Sequence, residues 1–301
     1  MKLAKKKQIV LSVIKSMGPS LTSTDLMKYT FLFSMNQVVP TFDFVPYRFG
    51  CFSFEAYREI SRLQEEGIIA IDENHVSLKE DICIPDFEDM YDRRAMWYLT
   101  HSFRNIRGKE LLKKIYVSHP YFAIKSTILS DILNDPEQRK MVYEAVPRND
   151  QEGFFSIGYE GLSLEKYLNL LIKKDIKILA DVRKNPISRK YGFSRKTLSN
   201  ALENIGIHYV SFAELGIESQ ERQVLYTQAD YDALFAKYER NVLSNRGSAL
   251  DALYKLYTKE KRVAVTCFEK NPLQCHRTRV LSHLTELHND LRGKVWLLNE
   301  S

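Results

Sequence analysis

The stretch Val263-Ala264-Val265-Thr266-Cys267-Phe268-Glu269-Lys270-Asn271-Pro272-Leu273-Gln274-Cys275-His276-Arg277-Thr278-Arg279 decides how the rest of the chain is read. It follows the charged run Lys259–Arg262 and opens with β-branched residues, as a buried strand does. It breaks at Asn271-Pro272 and restarts as a helix carrying Val280, Leu281 and Leu284. Cys267, Glu269, Cys275, His276 and Arg277 therefore crowd into one strand-to-helix connection. In an open parallel sheet that edge is where ligands bind.

Working outward from it, residues 153–301 alternate strand and helix. Strands are predicted at Phe154–Gly158, Ile176–Val182, Ile207–Val210, Val263–Phe268 and Val295–Leu298. Helices are predicted at Ser163–Lys173, from a Ser194 cap to Glu203, over Tyr231–Tyr257 with a break near Gly247, and after Cys275. On the first of these, Leu164, Tyr167, Leu168 and Leu171 share a face. Alternation of this kind calls for a Rossmann-like α/β domain, a mostly parallel sheet covered by helices.

The polar stretch Arg148-Asn149-Asp150-Gln151-Glu152-Gly153 reads as a linker between this domain and a different one at 1–147. There, a helix over 8–17 ends at Gly18-Pro19, and Ser23 or Thr24 caps a second helix. A loop with Pro40, Pro46 and Gly50 precedes a third helix at Phe54–Glu66, with Ile60 and Leu63 inward. The strand Ile68–Ile71, a turn at Asp72–His75 and the strand Val76–Leu78 follow. Three helices and a β-hairpin are the layout of a winged helix; the remainder to about Lys140 is mainly helical. The words Phe42-Asp43-Phe44-Val45-Pro46-Tyr47-Arg48-Phe49-Gly50-Cys51-Phe52-Ser53, with the later His119-Pro120-Tyr121-Phe122, resemble the winged-helix-like domain of YwgA-type proteins and SocA-like antitoxins. Cys51 stands where that family usually has proline. The resemblance implies a module that contacts a partner or nucleic acid, not an active site.

Three strand ends of the second domain carry unusual residues. The first is Ser156-Ile157-Gly158-Tyr159-Glu160-Gly161, whose glycines allow close backbone approach to a ligand. The second is Asp181-Val182-Arg183 leading into Asn185-Pro186-Ile187-Ser188-Arg189-Lys190-Tyr191-Gly192-Phe193-Ser194, where an Asp ends a buried strand. The third is the opening stretch. In this order, with Tyr209–Gly216 between the second and third, they resemble the family catalogued as domain of unknown function 488, from Phe154 to the C-terminus. That resemblance implies a Rossmann-like fold and leaves the activity undefined.

Spacing sorts the chemistry. A cysteine phosphatase or rhodanese needs Cys, five residues, then Arg, but Leu273 and Leu281 stand where those arginines belong. A zinc site from Cys267, Cys275 and His276 lacks a compact fourth ligand and any CxxC pair, so no metal is expected. Neither a GxGxxG fingerprint nor a P-loop lysine occurs, and no cofactor is expected. What survives is an anion pocket with carboxylates. Arg183, Ser188, Arg189 and Arg277 are expected to hold phosphate beside Tyr159, Glu160, Gly161, Cys267 and Cys275. Asp181 and Glu269 are expected to be catalytic, as paired carboxylates are in glycosyl chemistry, with His276 moving a proton and Tyr159 stacking on a base. The competing reading makes Asp181–Arg183 and Glu269–Arg277 salt bridges between strand ends.

Composition frames these readings. The 301 residues are 44% hydrophobic and 27% charged, the balance of a soluble globular protein. The formal charge is +6, and Arg183–Lys196 holds six basic residues and no acid, a patch suited to phosphates. The acidic stretch Asp81–Asp92 argues against DNA contact on its own face. Four scattered cysteines do not make a disulfide scaffold, and Met1–Lys7 lacks a signal-peptide pattern, so a reducing cytoplasm is expected without membrane association. The function expected is hydrolysis in nucleic-acid metabolism on a phosphate-bearing substrate, most concretely at an N-glycosidic bond, in a defence or toxin–antitoxin setting. Nucleic acid is the expected partner, with a nucleotide-like small molecule, or a protein held by the N-terminal domain, also open. Two non-enzymatic alternatives stand beside it: a DNA-binding regulator whose α/β domain senses a nucleotide, and a protein-interaction module.

Overall fold

A computed structural model describes residues 3–18, 21–79, 82–222 and 225–299. Met1, Lys2, Pro19 and Asp81, named above, lie outside the described residues. The chain divides into two compact units, residues 1–146 and 147–301.

The first unit opens with α1 (Lys5–Met17), β1 (Leu21–Thr22) and α2 (Ser23–Met35). The cap of α2 is Thr22, one residue before those expected, because its hydroxyl accepts from the Asp25 amide. The expected loop around Pro46 is instead a tight hairpin, β2 (Val45–Tyr47) with β3 (Gly50–Phe52). Helix α3 (Phe54–Glu65) then leads to β4 (Ile69–Asp72) and β5 (His75–Leu78), which join β1 in an antiparallel sheet of order β1-β5-β4. Glu73 and Asn74 both take positive φ (43° and 75°), the two-residue turn that matches strand twist. Helices α4 (Met90–Phe103), α5 (Gly108–Ser118), α6 (Leu129–Ile132) and α7 (Pro136–Glu144) complete the unit.

One buried charge in this unit has a measurable consequence. Lys28 is almost wholly buried, and its ammonium donates to the Cys51 carbonyl at 2.6 Å. Desolvation drives its pKa down from 10.5, against a weaker opposing pull from Cys51. The folded pKa lies below the unfolded one, so the cost of charging Lys28 is greatest at low pH and is relieved as pH rises through the folded value. Lys28→Met should therefore stabilise the protein by roughly 1 kcal/mol or more at neutral pH. Urea unfolding should show that gain shrinking as pH rises towards the unfolded value of 10.5; a loss of stability at neutral pH would refute this account.

The second unit is built on a five-stranded, all-parallel sheet: β6 (Gly153–Gly158), β7 (Ile178–Asp181), β8 (His208–Ser211), β9 (Arg262–Cys267) and β10 (Val295–Leu297), in the order β10-β6-β9-β7-β8. A Rossmann-like sheet is thus present. Its inner strands are buried on both faces, so β6, β7 and β9 read as near-continuous apolar runs. Helices α8 (Leu164–Lys173) and α9 (Arg195–Glu203) precede α10 (Gln228–Asn241), α11 (Gly247–Glu260) and α12 (His276–Leu287). Ser163 caps α8, accepting from the Lys166 amide. The expected face of α8 is buried, and each such side chain contributes about 1.5–3 kcal/mol. Phe154, Val263, Val265, Leu253 and Leu281 pack into one cluster on the sheet face covered by α11 and α12. The break expected near Gly247 is present: the stretch Tyr231–Tyr257 is two helices separated by a short 3₁₀ turn at Leu243–Asn245, and α11 starts at Gly247. No helix among the described residues is long and apolar enough to cross a membrane.

Candidate active site

Strand β9 is central in the sheet, and its carboxyl end, with those of β6 and β7, brings the three sequence motifs together. Between β9 and α12, a 3₁₀ turn at Pro272–Gln274 folds the connection back, so Cys275 stands at the N-cap of α12 and His276 begins the helix. The His276 Nε2 lies 2.8 Å from the Val182 carbonyl at the end of β7. A carbonyl only accepts, so Nε2 carries the proton and Nδ1 presents its lone pair. That lone pair faces Cys267 Sγ at 3.6 Å, and the same thiol donates to Glu269 Oε2 at 3.2 Å. Burial, then the neighbouring Cys267 and Glu269, pushes the Cys275 thiol well above its usual pKa.

Over this cluster lies a cavity of about 410 Å³. Cys267 and His276 line it, with Lys184, Ser188, Arg189 and Lys190 among the residues around them; no carboxylate lines it among the described residues. Lys184 is paired with Glu218 at 2.8 Å, whereas Arg189 is exposed with no ion-pair partner among the described residues. Lys190 donates to the Tyr159 carbonyl at 3.2 Å; partial burial lowers its pKa, and Glu160 opposes the shift. Larger hollows of about 530 and 730 Å³ occur beside α12–β10 and in the first unit, but no site residue named from the sequence lines either.

Of the other expected site residues, Tyr159 and Arg183 also line the cavity, while Asp181, Glu160, Glu269 and Arg277 hold the frame around it. Asp181 is fully buried. Its Oδ1 accepts from the Arg183 Nε at 2.8 Å, and its Oδ2 from Arg183 Nη2 at 2.5 Å and the Tyr209 hydroxyl at 2.7 Å. Burial disfavours charge on Arg183, but the bonds and charge of Asp181 outweigh it and raise the guanidinium pKa above its usual value. Nη1 of Arg183 donates to the Tyr159 hydroxyl at 2.9 Å and the Phe193 carbonyl at 2.8 Å. The first of the two salt bridges is therefore real, and Arg183 is committed to the wall rather than to a ligand. The second is not a carboxylate pair. The fully buried Arg277 donates to the Glu269 carbonyl at 2.5 Å and to Ser156 Oγ at 2.9 Å, out of reach of the cavity. Glu269 borders a different small hollow with Leu225 and Gln274.

Tyr159 does not offer a face to a base. Its ring stacks on Phe193 at 4.2 Å, with the Arg183 guanidinium 5.1 Å from its centroid. Gly158 accommodates the Glu269 backbone rather than a ligand: a Cβ there would sit 1.9 Å from that carbonyl oxygen. Glu160 accepts from the Lys270 amide at 2.9 Å, another tie between the first and third motifs. Ser194 occupies the N-cap of α9 without capping it; its hydroxyl accepts from the Ser188 amide and closes the loop that carries Arg189. Sequence reasoning missed Lys184 and Lys190, although both lie in the basic run it singled out. It also missed Phe268, exposed at the cavity lip beside Cys267.

Residues 163–284 match the family described as domain of unknown function DUF488. The match starts at the Ser163 cap and ends within α12, so it takes in the Asp181, Arg183, Cys267 and His276 positions. It leaves out Tyr159–Gly161 and everything before them, a shorter span than the resemblance suggested. No curated protein matches the chain. One solved structure, described as "Structure of the citrinin polyketide synthase CMeT domain", matches at 12% identity with a TM-score of 0.15. The alignment covers 87% of this chain and 57% of that one. The DUF488 match thus takes in the second and third motifs of the second unit but not the first.

Proposed function

We propose that the DUF488 unit is an enzyme of nucleic-acid metabolism that hydrolyses a phosphate-bearing, nucleotide-like substrate bound in the cavity over Cys267 and His276. The observation that carries this reading is the lining: Arg189 and Lys190 stand at a cavity of nucleotide-binding size with no lining carboxylate among the described residues. Phe268 at the lip supplies the exposed aromatic face that a base needs. The reactive end is the floor where Cys267 meets His276, since Asp181 is saturated by Arg183 and Tyr209. An N-glycosidic bond is the first substrate bond to test.

In this reading the first unit is a winged helix formed by α1, α2, α3 and the β4–β5 hairpin. Its α3 carries Glu55, Glu59 and Glu65 against Arg58 and Arg62, a balance that favours a protein partner over the DNA backbone. Calorimetric titration with nucleoside monophosphates tests the cavity. Arg189→Glu and Lys190→Glu should each weaken binding by roughly 10-fold or more, as lost charge-assisted contacts do. Unchanged affinity in both variants, or no binding by the wild type, would remove the phosphate reading.

A further inference from the structure

We propose that Cys267, Cys275 and His276 form a zinc site, with the ion's fourth position turned to the cavity. The sequence argued against this on spacing, but the fold removes that objection. Cys267 ends β9, while Cys275 and His276 sit at the start of α12, and the 3₁₀ turn between them brings the three together. The two sulfurs and a ring nitrogen lie within 4.8 Å of one another, and all three side chains are buried. For bond lengths of about 2.3 Å to sulfur and 2.0–2.1 Å to nitrogen, a tetrahedral zinc needs an S···N edge of about 3.6 Å. The Cys267 Sγ to His276 Nδ1 distance is 3.6 Å.

The donor set fits the same ion in three further ways. His276 is already fixed as a ligand is fixed: Nε2 donates to the Val182 carbonyl, which leaves Nδ1 free of its proton and aimed at the thiol. Two thiolates and a neutral imidazole match the charge of a divalent ion, the proton that Cys267 shares with Glu269 being released when the ion binds. Paired sulfurs with imidazole select zinc over magnesium, calcium or manganese, which take oxygen donors. Three protein ligands leave one position open, the arrangement of a catalytic rather than a structural zinc. Cys267 and His276 both line the cavity, so the open position faces the proposed substrate. The metal assignment rests on the ligand geometry; only its catalytic role rests on the phosphate reading.

Metal content and cobalt spectroscopy of the full chain test it. Protein purified without chelator should hold about one zinc per chain. Cobalt added after zinc removal should give the intense visible bands of a tetrahedral site together with a thiolate-to-cobalt charge-transfer band. Cys275→Ser and His276→Ala should each weaken zinc binding at least ~100-fold, since even the groups orienting a ligand are worth 10–100-fold. The wild-type cobalt spectrum keeps the test valid if a variant does not fold. Octahedral cobalt without charge transfer, or no zinc uptake with both thiols freely titrating, would overturn the proposal. So would a Cys267–Cys275 disulfide that forms while reduced protein takes up no metal. Arg189→Glu should keep its zinc, so failure of the phosphate reading and failure of the metal site are separate results.

Discussion

Asp181→Ala should destabilise the protein by about 3–5 kcal/mol, because it leaves the Arg183 guanidinium buried without its counter-charge. The pair is bidentate, fully desolvated on the carboxylate side and reinforced by the Tyr209 hydroxyl. Removing one partner therefore costs more than the pair itself is worth. The separating measurement is a double-mutant cycle by urea unfolding. Asp181→Leu with Arg183→Met should recover most of the loss, since two apolar groups leave no charge stranded. A catalytic Asp181 predicts the opposite pattern: little change in stability, and turnover lost in Asp181→Asn. A loss below about 1 kcal/mol in Asp181→Ala would sink the structural assignment.

This pair also shows how far the sequence could be read. An Asp at the end of an apolar strand announces an unusual environment, but not whether that environment is a catalyst or a clamp. The decision lies in Tyr209 on β8 and Phe193 before α9, which reach the Asp181–Arg183 pair only through the fold. Arg277 is harder still. Its acceptors are the Ser156 hydroxyl and backbone carbonyls, which carry no sequence signal, so an arginine that looks like a phosphate ligand is a buried strut. By contrast the sheet was legible, because strands buried on both faces must be apolar along their whole length. The Cys267, Cys275 and His276 cluster was visible as residues and invisible as a site. Eight positions separate the cysteines along the chain, and one tight turn erases that distance. In the first unit, the stretch with Pro40, Pro46 and Gly50 reads as loop, yet Val45–Phe52 is a hairpin, because Pro46 is tolerated in a two-stranded pair.

Gly158→Ala is the second large effect, and it tests how the site is held. The added Cβ would lie 1.9 Å from the Glu269 carbonyl oxygen and 2.6 Å from its carbon. Both are backbone atoms, so no rotamer change relieves the contact, and the β9–α12 connection has to move by about 1 Å to restore normal packing. The same carbonyl accepts from Arg277, so the movement also breaks the strut. The expected cost is about 3 kcal/mol in urea unfolding, with ligand affinity falling by roughly 100-fold as Cys267 and Phe268 leave their positions. Gly161→Ala is the control, from the same motif. Gly161 has φ +81°, with no atom within 4 Å of the added Cβ, so it carries only the left-handed backbone penalty of roughly 1–2 kcal/mol. If the two variants lost stability and affinity equally, close approach of the Glu269 backbone would not be what requires glycine at 158. A large loss confined to Gly158→Ala means that the first motif serves to seat the third, and that the cavity floor is positioned by backbone contact between β6 and the turn after β9.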